Sequence, residues 1–296
     1  MQFGVHLPTY WANGINNVRT AIVETAHAAQ ALGYAGVWAN DIVVVSPEHA
    51  QFGHVIEPLI TLASLVHLIP HLNLGISVLV VPQRNIFLMA KQVAALDVLS
   101  EGRLILGIGV GWRADEFAYL KADFAHRQAL TDEAIQALRV LWSEPQASFH
   151  GQFYDFSDAI LFPKPVQARL ALWIGGSNLS AIRRAARFGD AWVPFGIGLA
   201  DFRAGVASLR ALSSDRTCPT IAAEMFVSIG EGNKPGGPAL AHVEGTPDAI
   251  AKTLVQYRQA GLEYLICGFK ADGVDELLGQ MRVFAERIAP QLADPA

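Results

Sequence analysis

Two cysteines, Cys218 and Cys267, are too few for a disulfide framework in a chain of 296 residues. The expectation is a pair of reduced thiols in a reducing compartment. Charge is also scarce: Asp, Glu, Lys and Arg make up 17% of the chain, and 22 basic against 27 acidic residues leave a net charge of -5. No basic run is longer than Arg183-Arg184, so the concentrated positive face that nucleic acid requires is missing. Between Glu57 and Arg84 there is no formal charge at all, over a length that spans a bilayer. That stretch nevertheless holds His67, Pro70, His71, Asn73, Gly75 and Pro82. It divides into an apolar helix, a turn and an apolar strand, as buried parallel-sheet cores do. No leader is read ahead of the first strand at residues 3–7. These absences together lead to the expectation of a cytoplasmic protein with neither a nucleic-acid nor a membrane partner.

What is abundant is apolar surface, 52% of residues, arranged in an alternation of strand and helix. Strands are expected at 3–7, 36–39, 74–81, 104–108, 170–174, 191–194, 221–229 and 264–267. Val18, Ile22, Ala26, Ala29 and Leu32 mark one face of the first helix, closed by Gly33. Ile135, Leu138 and Trp142 do the same for the fourth. Further helices are expected at 58–68, 179–188, 202–212 and 275–287, and one begins at the N-cap pair Thr246-Pro247. Residues 147–165 break the rhythm, and Ser148 to Tyr154 alternates around Gly151 like a short hairpin. Eight strands alternating with eight helices predict a (β/α)8 TIM barrel. It is expected as one domain over 1–296, with a hairpin inserted after the fourth helix and a long loop before the seventh. That loop, 230–245, is rich in glycine and proline and is placed where a lid would lie.

Barrel enzymes keep their chemistry where strands end and βα loops begin. The rule selects His6, Asp41, Ser77 to Val80, Gly107 to Trp112, Gly175-Gly176-Ser177 and Trp192. Gly175-Gly176-Ser177-Asn178 suits an anion, because glycine admits close approach and the helix start offers unpaired N–H groups. An N-capped tight turn without ligand is the alternative. Gly109-x-Gly111-x-x-Ala114 matches a dinucleotide fingerprint. A Rossmann domain would open with it, whereas here three strand–helix units come first. The other role is close backbone approach to a flat ring or phosphate. Asp41 reads either as a ligand's hydrogen-bond acceptor or as a cap. His67 and His71 have metal spacing, but Pro70 between them breaks the helix that would aim both rings, so no metal is expected. No nucleophile elbow is present.

The motifs together resemble the luciferase-like flavin and deazaflavin oxidoreductases. The matching stretches include Gly33-Tyr34-Ala35-Gly36-Val37-Trp38, Glu57-Pro58-Leu59 and Gly75 to Pro82. They continue with Leu96 to Leu104, Leu106 to Trp112, Phe162 to Val166, Trp173-Ile174-Gly175-Gly176 and Ala185 to Trp192. The resemblance implies a cofactor ring over the strand ends. In the deazaflavin-using branch it implies a bulged third strand with a non-prolyl cis peptide behind the ring, which falls at Ser77-Val78. It places the cofactor phosphate at Gly175, Gly176 and Ser177, and Asp41 near the ring. The chain departs from the sugar-phosphate dehydrogenase branch at Ile42 and Trp112, where that branch carries histidine and glutamate. Bacterial luciferase also has a histidine at the first position. Neither sugar-phosphate oxidation nor light emission is therefore expected.

The expected function is hydride transfer between coenzyme F420 and a small-molecule substrate. Asp41, Ser77, Val78, Val80, Gly107, Gly109, Gly175, Gly176, Ser177 and Trp192 are the expected cofactor contacts. Trp112 and Phe195 are added as apolar walls, and His6 and Asp41 are candidate acid–base groups, with His54 unplaced. The alternatives are an FMN-dependent monooxygenase acting through a C4a–oxygen adduct and a non-catalytic flavin- or deazaflavin-binding protein. A homodimer is expected from the resemblance.

Overall fold

The computed structural model describes residues 1–9, 17–214, 217–230 and 242–293. The chain runs β1 (Gln2–His6), α1 (Val18–Ala31), β2 (Gly36–Ala39), α2 (Pro58–Leu65), β3 (Asn73–Val80), α3 (Ile86–Leu99) and β4 (Leu104–Gly109). A short helix, α4 (Ala114–Tyr119), precedes α5 (Arg127–Ser143), and β5 (Ala147–His150) pairs antiparallel with β6 (Asp155–Ala159). Then follow β7 (Ala171–Gly175), α6 (Leu179–Phe188), β8 (Ala191–Val193), α7 (Leu199–Leu212), β9 (Thr220–Ile229) and β10 (His242–Gly245). The last elements are α8 (Pro247–Gln259), β11 (Tyr264–Phe269) and α9 (Val274–Val283). Strands pair in the order β9-β11-β1-β2-β3-β4-β7-β8, and β8 pairs back onto β9. That closes the eight-stranded parallel barrel the alternation predicts. The inserted hairpin follows the fourth barrel helix, α5, as expected.

Local chemistry explains most boundaries. Asn85, Asn178 and Thr246 cap α3, α6 and α8 with side-chain oxygens. Gly33 ends the first helical unit at φ +75°, which an L side chain rarely adopts. Helix α2 stops at Leu65 instead of residue 68, because the following turn hands its carbonyls to an arginine. The Arg103 guanidinium donates to the oxygens of Val66, Ile69 and Leu72. Residues 242–245, expected as loop, form β10 alongside Phe226 to Ile229 of β9. Residues 231–241 of the expected lid loop lie outside the described residues. Among the described residues no helix is long and apolar enough to cross a membrane.

The lumen has its own apolar floor. Trp38, Trp173 and Tyr264 pack with ring centroids 4.7 to 5.8 Å apart, and Trp38 Nε1 donates to the Tyr264 hydroxyl at 3.1 Å. Ile105, Ala191, Val193, Ala222 and Ile266 complete this cluster. A Cβ on Gly4 or Gly75 would lie 2.3 Å from the Trp38 indole, so both positions need glycine. The floor lies toward the N-terminal ends of the strands, below their C-terminal mouth.

Candidate active site

Inward positions follow from strand alternation. With Gly4, Trp38, Gly75, Trp173 and Ala222 facing the lumen floor, the next inward residues up the strands include His6, Ser77, Gly175 and Glu224. These four come from β1, β3, β7 and β9, which alternate around the barrel, as lumen layers do. Three of them form a polar chain. Ser77 Oγ donates to Glu224 Oε2 at 2.5 Å, spanning the lumen from β3 to β9. Glu224 Oε1 lies 2.7 Å from His6 Nε2, close enough for an ion pair but off the line of the ring N–H. The His6 and Glu224 side chains are 10% and 9% exposed, so their contact is largely shielded from water. His6 Nδ1 is buried with no hydrogen-bond partner among the described residues.

Val78 lies beside this chain. The register of β3 against β4 shifts between Ile76 and Leu79, and the Ser77-Val78 peptide is cis. Val78 stays half-buried while its neighbours are buried. Its side chain fills the space in front of three glycines. A Cβ on Gly109 would lie 2.3 Å from Val78 Cγ2, one on Gly175 2.5 Å from Cγ1, and one on Gly107 2.0 Å from the Ile76 carbonyl oxygen. These glycines, read from the sequence as room for a ligand, are required first by the bulge that carries Val78.

Asp41 is engaged by protein. Arg84 Nη2 donates to its Oδ1 at 2.6 Å, and the Val80 amide donates to Oδ2 at 2.9 Å. Burial pushes the Asp41 carboxyl above the usual carboxylate range, against the pull of Arg84 and the Val80 N–H. Its acceptor capacity therefore goes to fixing the end of β3, and the expectation that it serves a ligand directly is at odds with this geometry. Val80 is buried, and a Cβ on Gly111 would meet its Cγ1 at 2.8 Å.

Acids from the first turn of α4 hold the loop after β2. Glu116 Oε1 accepts from the Val43 amide at 2.7 Å, Asp115 Oδ2 accepts from the Ser46 amide at 3.0 Å, and Arg113 donates to the Val44 carbonyl. Burial works to raise the Asp115 carboxyl, but the Ser46 amide and hydroxyl and Arg113 outweigh it and hold it well below the carboxylate range.

The loop after β7 is open. Gly176, Ser177 and Asn178 are exposed, and Gly176 has φ +114°. Arg184 is not available to an anion here, because it is buried against Asp132 and Gln128. A hollow of about 410 Å³ beside this loop is lined by Ser177, Leu179, Ile182, Ile197, Asp201 and Gly205. It belongs to the groove between α6 and α7 and not to the lumen. Trp192 also corrects the sequence reading. Ala191 and Val193 face the lumen, so Trp192 points outward, stacks 6.0 Å from Phe202 and donates Nε1 to the Gly176 carbonyl at 2.8 Å. It anchors the loop instead of walling a ring.

At the rim, Phe195 and Phe226 meet edge to face at 5.4 Å. Trp112 is 66% exposed and packs against His49 and Phe52. His54 is exposed and His71 and His67 lie apart from this layer on the α2–β3 turn. No cluster of metal-binding side chains occurs among the described residues. Glu224 and Phe226 were missed from sequence. Glu224 did leave a signal, as the one acid inside the apolar run 221–229.

The luciferase-like monooxygenase family model matches residues 1–234. An F420-dependent hydroxymycolic acid dehydrogenase of Mycobacterium tuberculosis is 28% identical over 216 residues, 71% of this chain and 59% of that protein. An FMNH(2)-dependent dimethylsulfone monooxygenase of Pseudomonas putida is 30% identical over 183 residues, 59% of this chain and 50% of that protein. The chain spans about half the length of the first curated relatives it matches. The crystal structure of monooxygenase RslO1 from Streptomyces bottropensis superimposes with a TM-score of 0.87 at 20% identity, covering 99% of this chain and all of that one.

Proposed function

From the premise that the chain belongs to the luciferase-like monooxygenase family, we propose that it is an F420-dependent oxidoreductase acting on a small organic substrate. The observation that carries the reading is the β3 bulge, which presents Val78 as a half-buried apolar platform at the mouth. A deazaflavin, when bound, supplies two-electron hydride chemistry.

The residues present fit such a group. His6 Nδ1 is a buried polar atom in need of a partner. At Gly176 a Cβ would lie 2.9 Å from Ala181 Cβ at a φ that disfavours side chains, so the amide face there must stay bare. Gly176 and Ser177, ahead of the Asn178-capped helix α6, would hold the phosphate tail. Trp192 fixes the loop's carbonyl from behind. Val78 would support the ring, and Phe195 and Phe226 would exclude water from one side. The Asp41–Arg84 pair keeps the end of β3 in place.

The FMN reading has its own support in the 30% identity to an FMNH(2)-dependent monooxygenase. Titration of the protein with F420 and with FMN, each oxidised and reduced, separates the two. Tight F420 binding is expected, and tight FMN binding without F420 binding would reverse the assignment. Gly176→Val should abolish binding of whichever cofactor is held, and unchanged affinity would remove the phosphate assignment.

A further inference from the structure

The polar chain Ser77–Glu224–His6 has no structural task that an apolar layer would not perform. It sits directly above the Trp38–Trp173–Tyr264 floor. Burying a carboxylate is costly unless it is paired. Here the cost is met by one hydroxyl and one imidazole that reach Glu224 from two other strands. The arrangement follows the logic of an oriented base: a carboxylate stands against one ring nitrogen, and the other has no partner among the described residues.

We propose that His6 is the catalytic acid–base residue of this site and serves substrates with a carbon–oxygen bond, ketones and secondary alcohols. Glu224 and Ser77 are its positioning residues. The inference rests on the hydride-transfer reading above. In ketone reduction a bound reduced deazaflavin would supply the hydride, with both electrons, to the carbonyl carbon. The carbon–oxygen π pair moves to oxygen, and that oxygen takes a proton from His6. The imidazole is left neutral and regains its proton from solvent; oxidation of the alcohol is the exact reverse. Val78, the chain neighbour of Ser77, would carry the ring, while the proton comes from His6 on β1, which Ser77 reaches only through Glu224.

His6 is the last residue of β1, at the mouth end, and the floor closes the other side. The tenth of its side chain that remains open therefore faces the mouth. The off-line contact with Glu224 is of the kind that tightens when substrate binds.

Two measurements test this. The first needs no cofactor: ring nitrogen resonances of 15N-histidine-labelled protein, with His6 assigned by its loss in His6→Gln. The neutral ring is expected to carry its proton on Nε2, facing Glu224, and Glu224→Gln should convert this to a tautomer mixture. A His6 tautomer indifferent to Glu224→Gln would overturn the pairing. The second is oxidation of reduced F420 by cyclohexanone. A loss of about 100-fold in kcat is expected for His6→Gln, with KM for the ketone within about threefold. Added imidazole should restore part of the rate of His6→Ala. A His6→Gln enzyme with full kcat overturns the catalytic role. A wild-type protein that binds F420 but reduces no ketone in a panel of cyclic and linear ketones overturns the substrate class. Failure to bind F420 at all sinks the functional reading itself and is seen in the titration; the tautomer measurement still decides the His6–Glu224 pairing.

Discussion

Gly109→Ala tests whether the glycines of the mouth exist to house Val78. The new methyl would stand 2.3 Å from Val78 Cγ2. That is about 1.2 Å inside the ~3.5 Å at which carbon atoms pack. Valine has one strongly restricted torsion and cannot swing its methyl away freely. The strain should cost about 1–3 kcal/mol of stability, the range for overpacked cores. Val78→Ala alone removes two half-buried methyl groups and should cost about 1 kcal/mol. In the double variant the clashing Cγ2 is gone, and the nearest Val78 atom left is Cβ at 3.3 Å. The two losses should therefore not add. A coupling of about 1–2 kcal/mol is expected, against the ~0.5 kcal/mol scatter of independent sites. Urea unfolding of the four proteins measures it, and cofactor titration of the same set reads whether the platform moved. Strict additivity would refute the claim that Val78 occupies the space of these glycines.

Two further outcomes follow from acids that hold loops in place. Asp97 is buried and accepts from the Val166 and Gln167 amides and from Gln167 Nε2. Asp97→Ala strands these donors and should cost about 3 kcal/mol, seen as a lower urea midpoint with cofactor affinity retained; a loss under 1 kcal/mol would refute the clamp. Asp115 lies below its unfolded value, so its hold on the Ser46 amide contributes above the unfolded pKa and is lost as pH falls through the folded one. Protection of the Ser46 amide, taken relative to its intrinsic exchange rate, should therefore fall on acidification below about pH 4, and Asp115→Asn should remove that pH dependence.

The barrel was legible because buried parallel strands and amphipathic helices differ in period, and because caps such as Asn178 and Thr246 announce helix starts. The facing of individual side chains was not. In a strand of three residues such as Ala191–Val193 the pattern does not say which parity is inward, so Trp192 was assigned to the lumen when it lies behind it. Asp41 was placed near a ligand by its position at a strand end. Its actual partner, Arg84, lies beyond β3, and no local spacing connects them. The glycines at 107, 109 and 175 stand out in the sequence, but strand alternation alone does not produce the bulge that turns Val78 into their space.

The same blindness to facing hid Glu224, and the rest of the acids show why that matters. Acids in the recognisable motifs mostly hold the framework. Asp97 holds the loop at 166–167, Asp115 and Glu116 hold the loop after β2, and Asp190 accepts from Arg139 and the Leu172 amide. Each has backbone amides among its partners, which is what keeps a loop in one shape. Glu224 differs, because among the described residues its carboxylate meets a hydroxyl and an imidazole, both on side chains inside the lumen. A carboxylate satisfied by backbone is locked to one structural task. One satisfied by groups that can themselves exchange protons is placed for chemistry, and in this barrel that distinction leads to His6 and not to the acids of the motifs.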